Sequence, residues 1–129
     1  MPGVAPDPVA VATRFNDCVN RRDLAGLAAL MPADHSFVDA ASDTVSGRQA
    51  CVEAWRGFFA LFPDYRNVFE SFSVTANVVV IAGRSVCSTP ALAGPALWTA
   101  TIEGDQVAKW HVHEDTPEVR ENLGLPRFA

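Results

Sequence analysis

Hydrophobic positions between residues 8 and 30 recur at helical spacing. Val11, Phe15, Cys18 and Arg22 fall at i, i+4, i+7 and i+11, and Val9, Ala12 and Val19 widen the stripe, which predicts a helix over about Pro8–Arg21. Asp23 suits the N-cap of a shorter helix carrying Leu24, Leu27, Ala28 and Leu30, and Pro32 stops it. Ahead of this helical corner, residues 1–7, with Pro2, Gly3 and Pro6, read as a flexible lead-in. His35–Ala40 (HSFVDA) alternates as a short strand, with Phe37 and Asp39 on one face and Ser36 and Val38 on the other. Ser46-Gly-Arg-Gln49 has the form of a capping box. It opens a third helix in which Cys51, Trp55, Phe58 and Phe62 mark one stripe and Ala50, Ala54 and Leu61 widen it, until Pro63-Asp64 ends the element.

Beyond Tyr65 the period shortens from helix to strand. Four strands are expected, Arg66–Val74, Asn77–Ser88, Ala96–Glu103 and Gln106–Asp115, separated by Thr75-Ala76, by a loop over Thr89–Pro95 and by Gly104-Asp105. Thr116–Gly124 closes the chain as a helix, with Thr116 as N-cap, Pro117 in the first turn and Gly124 just past the end. The order ααβαββββ with a tail helix defines one α+β domain over residues 1–129, helices packing on one face of a curved antiparallel sheet. A two-residue turn at Gly104-Asp105 sets Glu103 opposite Gln106. In that register Trp98 faces His111 and Ala96 faces His113, so Lys109, His111, His113 and Asp115 share a face with Trp98. Leu97, Trp110 and Val112 take the other face, where a second subunit would bury them.

Composition narrows what such a domain does. Ten Lys+Arg stand against fifteen Asp+Glu, a net charge of −5, and only one of the ten is lysine. Only Arg21 and Arg22 are adjacent. Nucleic acid and anionic membrane both require clustered cations, so neither is expected as a partner. No apolar run approaches the roughly 20 residues of a membrane span, and the N-terminus lacks the basic start and apolar core of a signal peptide; a cytoplasmic location is the expectation. The chain is 49% apolar and 19% charged, below the roughly 25% charged residues of an average domain, which excludes disorder and leaves apolar residues to line an interior or a partner surface. Cys18, Cys51 and Cys87 are odd in number, lack C-x-x-C spacing and sit in apolar segments, as reduced core residues do.

Chemistry is sparse. His111, His113 and Asp115 recur at i, i+2 and i+4 on one strand, about 6–7 Å between successive side chains. Such a straight row suits a proton relay better than a metal, which needs ligands converging from other elements; no metal is assigned. Asp39 beside Phe37 is the strongest candidate for a carboxylate base, since an apolar wall moves a carboxyl toward the working range; the same residue also suits an Asx turn opening the 40–46 loop. Phe37, Trp55, Phe59, Phe62, Trp98 and His111 are candidates to line a ligand pocket.

The segments FNDCVNRRDLAGLAAL, HSFVDAASDTVSGRQACVEAWRGFFALFPD and TIEGDQVAKWHVHEDTPEVRENLGL make the chain resemble the NTF2-like superfamily. Within it the chain resembles the SnoaL-like group of polyketide cyclase, ketosteroid isomerase and limonene epoxide hydrolase relatives. The resemblance implies a cone-shaped, cystatin-like fold around an apolar pocket, often in a homodimer formed through the sheet. It matches Asp39 to the carboxylate base of the isomerase relatives and Asp115 to the acidic residue that ends the last strand in many SnoaL-like members. The known constellations are incomplete, however: the first helix offers Phe15 where the isomerases carry a tyrosine, the only tyrosine is Tyr65, and Arg84 is followed by Val86 rather than by an Arg-x-Asp carboxylate. Two readings stand. One is a cofactor-independent enzyme moving protons on an apolar oxygenated ring compound, with Asp39 as base and His113 with Asp115 as shuttle. The other is a non-catalytic module that binds a small hydrophobic molecule or dimerises.

Overall fold

The structure, a computed structural model, describes residues 7–127. Its elements are α1 (Pro8–Arg21), α2 (Leu24–Ala29), β1 (Ser36–Val38), β2 (Thr44–Ser46), α3 (Arg48–Leu61), β3 (Arg66–Thr75), β4 (Val78–Val86), a 3-10 turn at Pro90–Leu92, β5 (Gly94–Glu103), β6 (Gln106–His113) and α4 (Pro117–Asn122). The expected lead-in lies outside the described residues except for Asp7, whose carboxylate caps α1 by accepting from the Val9 amide at 3.0 Å.

Both early helices form where the pattern placed them. Val11, Ala12, Phe15, Cys18 and Val19 of α1 are buried, and Asp23 caps α2 by accepting from the Gly26 amide at 2.9 Å. Between them Arg22 takes a left-handed conformation, φ 58°, and its guanidinium donates to the Asn20 and Pro63 carbonyls at 2.7 and 2.6 Å. The corner is thereby tied to the end of α3. The capping box at Ser46 does not form. Residues 44–46 are an extra strand, Ser46 pairing with Ser36, so the backbone stays extended through Ser46 and Gly47, at φ 96°, becomes the N-cap without a side-chain bond.

The sheet runs β2-β1-β6-β5-β4-β3. Every pairing is antiparallel except β1 with β6, which is parallel and sets Phe37 beside Trp110 and Val38 beside His111. Two bulges curve it. Glu70 is the extra residue in β3, where pairing steps from Phe69↔Gly83 to Ser71↔Ala82; Ala108 is the extra residue in β6, where it steps from Ile102↔Val107 to Thr101↔Lys109.

The second bulge corrects the expected register. Past Ala108 every residue of β6 moves to the opposite face: Thr99 pairs with His111, Trp98 with Val112 and Leu97 with His113. Trp110 and Val112 therefore turn inward with Trp98, while Lys109, His111 and His113 turn outward with Leu97 and Thr99. Trp110 is fully buried inside the subunit, packing within 4.5 Å of Phe15 and 6.1 Å of Phe69 between ring centroids, so it is not a partner-facing residue. Leu97 is also fully buried within the chain.

Curvature brings backbone close to backbone at the β3 bulge. A Cβ on Gly83 would lie 2.0 Å from the Val68 carbonyl oxygen, whereas one on Gly57, exposed in the middle of α3, meets nothing within 4 Å. Gly83→Ala is expected to cost about 2 kcal/mol of stability, and Gly57→Ala to add roughly 0.5–1 kcal/mol through helix propensity and loss of unfolded-state freedom. Urea denaturation of the two variants measures both; equal midpoints would contradict the close approach at Gly83.

Candidate ligand cavity

The concave side of the sheet and α3 enclose a cavity of about 620 Å³, within the usual range for small-molecule sites. Its walls are aromatic. Phe37 from β1, Trp55 and Phe58 from α3, Trp98 from β5 and Trp110 from β6 all line it, with Trp55 edge-on to Phe37 at 5.5 Å and to Phe58 at 5.8 Å. Exposed lining residues, among them Ala40, Ala41, Ala91, Ala93, Pro95 and Glu114, mark the mouth.

One polar cluster interrupts this wall. Asn67 on β3 and Ser85 on β4 are direct cross-strand neighbours. The Ser85 hydroxyl donates to Asn67 Oδ1 at 2.9 Å, and the Tyr65 hydroxyl lies 3.2 Å from Ser85 Oγ. All three residues line the cavity and all are buried. Burial pushes the Tyr65 phenol above its ordinary pKa, so it is a neutral O–H at working pH. Helix α1 holds this end of β3 in place: the Asn67 amide donates to Asn20 Oδ1 at 2.9 Å, and its carbonyl accepts from the side chains of Asn20 at 3.0 Å and Asn16 at 3.3 Å.

Asp39 lines the cavity from the loop after β1. Its Oδ1 accepts from the amides of Ala41 at 2.9 Å and Asp43 at 3.0 Å, so the Asx turn exists and at the same time fixes the carboxylate at the cavity wall. Of the other candidates, Phe37, Trp55 and Trp98 are lining residues, and Phe59 and Phe62 are not. Phe59 packs behind Trp55 at 5.5 Å under the Arg22 guanidinium, and Phe62 packs on Phe58 at 5.0 Å.

The row His111, His113, Asp115 is not brought to Asp39 inside the cavity. His113 borders the mouth, but its ring follows the outward face set by the Ala108 bulge, stacking on His111 at 3.8 Å between centroids, with Nε2 2.9 Å from Thr99 Oγ1. His111 lies outside the lining. Asp115 forms a two-pronged ion pair with Arg120 of α4, one arm 2.8 Å long, both side chains largely buried. Lining residues the sequence reading did not place there include Trp110 and Val112, expected on the partner-facing side, and the polar Tyr65, Asn67, Ser85 and Glu114. Tyr65 stood out only as the single tyrosine. A cross-strand pair such as Asn67–Ser85 has no local pattern to find it by.

The family-model comparison matches residues 12–118 to the SnoaL-like domain, and the chain belongs to that family. Its fold is the NTF2-like, cystatin-like cone. Among solved structures, a candidate polyketide cyclase from Sinorhizobium meliloti is 13% identical, covering 84% of this chain and 100% of its own, with a TM-score of 0.74. An uncharacterised cystatin-fold protein from Novosphingobium aromaticivorans is 15% identical over 84% of this chain and 99% of its own, TM-score 0.75. A candidate ketosteroid isomerase from Kribbella flavida is 14% identical over 82% and 76%, TM-score 0.70. At these identities the likeness is one of fold. No curated protein matches the chain. No described helix is long and apolar enough to cross a membrane.

All three histidines sit below their ordinary pKa. Burial is the first cause for each; His111 adds to it at His113, which falls to about 4, and Lys109 adds to it at His111. His35 is fully buried, with Nδ1 2.5 Å from the Val107 carbonyl. Because the unfolded chain binds these protons more readily than the folded one, stability is full above about pH 6.5 and falls as pH drops toward 4. The melting temperature is expected to fall steadily between pH 7 and pH 4.5, and His113→Gln to flatten part of that slope. A pH-independent melt over this window would contradict the neutral, partly buried histidines. Separately, Asp115→Asn is expected to cost about 1–3 kcal/mol by leaving Arg120 without its carboxylate, read by urea titration; an unchanged midpoint would remove the ion pair's structural role.

Proposed function

We propose that this SnoaL-like domain is a cofactor-independent enzyme that binds an apolar oxygenated ring compound in its aromatic cavity and moves a proton on it, with Asp39 as the base. The observation that carries this reading is that a carboxylate held by two backbone amides, Asp39, shares one aromatic cavity with the neutral hydroxyl chain of Tyr65 and Ser85. A fixed base opposite neutral hydrogen-bonding groups is the arrangement that proton abstraction beside a polarised oxygen requires. Asp39 takes the proton from a ring carbon and returns it from its carboxyl group to another position. His113 and Asp115 leave the shuttle role, since their partners are Thr99 and Arg120. A homodimer formed through the sheet fits the same reading with Lys109, His111 and Thr101 facing the partner in place of Trp110 and Val112.

The turn that clamps Asp39 also favours a second reading, a binding module in which that carboxylate only shapes the loop. One experiment separates them. A panel of cyclic oxygenated compounds is incubated with the protein in D2O, and loss of ring-proton signals is followed by 1H NMR. Exchange above the buffer rate that drops at least about 100-fold in Asp39→Asn is the expected result. Saturable binding with exchange at the buffer rate, or exchange untouched by the substitution, would remove the catalytic role.

A further inference from the structure

The charged groups of the cavity carry one sign. Asp39 at the wall and Glu114 at the mouth are carboxylates, and no Lys or Arg is among the described lining residues, although the chain holds ten such cations. The basic ring in the lining, His113, is neutral at pH 7, because burial and the neighbouring His111 bring it down to about 4. Neither acidic side chain is matched by a cation inside the protein. Asp39 Oδ1 accepts from two backbone amides, and the Glu114 carboxylate forms no ion pair among the described residues. The side-chain N–H groups of the wall do not offset this, since Asn67 Nδ2 and the indole Nε1 atoms of Trp55, Trp98 and Trp110 are sealed beneath its surface. Beside the carboxylates stand partly exposed aromatic residues, Phe37 two positions before Asp39 and Phe58 on α3. Aromatic faces attract cations as carboxylates do.

We infer that the ring compound taken up by this cavity carries a protonated amine, with the ring among the aromatic residues and the ammonium at the mouth beside Glu114, so that cations are selected over neutral and anionic compounds of the same shape. The inference rests on the ligand cavity of the proposed function and adds the charge of its occupant; it does not require Asp39 to act as a base. Position follows from solvation. An ammonium is costly to bury without a partner, and Glu114 is exposed, so the charge is matched there while it keeps part of its water. Asp39, half-buried at the wall, adds to the same field. A carboxylate ligand would meet two like charges and no counter-ion.

The test uses the intact protein and three probes of similar shape, titrated calorimetrically at pH 7 and low salt: 1-(aminomethyl)naphthalene, a cation, 1-naphthalenemethanol, which is neutral, and 1-naphthoate, an anion. The cation is expected to bind about tenfold more tightly than the alcohol, and the anion more weakly than either. Salt at about 0.5 M shrinks the lead of the cation. Glu114→Gln, at an exposed position, lowers the affinity of the cation about threefold and leaves that of the alcohol unchanged. Adding Asp39→Asn, which keeps an oxygen acceptor for the turn amides, brings the cation to the level of the alcohol. If the double variant melts as an unfolded chain, Glu114→Gln and the ranking on the wild-type protein decide alone. A cation that binds no better than the alcohol, an anion that matches it, or a lead untouched by Glu114→Gln overturns the inference and leaves the cavity reading standing. Binding of none of the three, the alcohol included, overturns the cavity reading itself.

Discussion

Trp110 packs against Phe15 of α1 and Phe69 of β3, and the interior depends on that indole pointing inward. A regular β6 would carry it outward. The extra residue Ala108 reverses the alternation of the strand, so the largest side chain of β6 enters the core while Lys109, His111 and His113 go to the convex side. The same reversal turns the His111 and His113 rings to the outer face, and the buried polar residues of the cavity wall are Tyr65, Asn67 and Ser85. One inserted residue thereby settles both how the helices pack and what chemistry faces the ligand.

Helix α1 links the two consequences. Its apolar stripe carries Phe15 against Trp110, and on the same helix Asn16 and Asn20 bond the backbone of Asn67. Packing and site geometry are therefore coupled: a change that shifts α1 on the sheet moves the Asn67–Ser85 pair as well. The low charge content finds its explanation here too. Apolar residues surplus to a small domain surround a hollow, with Phe37, Trp55, Phe58, Trp98 and Trp110 in its wall.

Elements with local signals were legible in the sequence. The stripe of α1, the Asp23 cap, the aromatic face of α3 and the Gly104-Asp105 turn all lie within a few residues of one another, and each forms where it was expected. Features that depend on distant pairing were not. The Ala108 bulge leaves no mark in the alternation of β6, since Trp110-His111-Val112-His113 alternates equally well in either register. β2 was hidden because Thr44-Val45-Ser46 is too short to show a period and gains its structure only by pairing with β1. Within the site, Asp39 was visible through its apolar neighbour and its turn, whereas Asn67 and Ser85 are 18 residues apart and meet only through the register of β3 with β4.

Nuclear Overhauser contacts between strands β5 and β6 report on which side of the sheet the residues after Ala108 fall. With Ala108 bulged out, contacts pair Thr99 with His111 and Trp98 with Val112, and the Trp110 indole contacts the Phe15 ring. Contacts pairing Trp98 with His111 and Ala96 with His113 would show a strand without the bulge, turn the histidines into the cavity and take Trp110 out of the core.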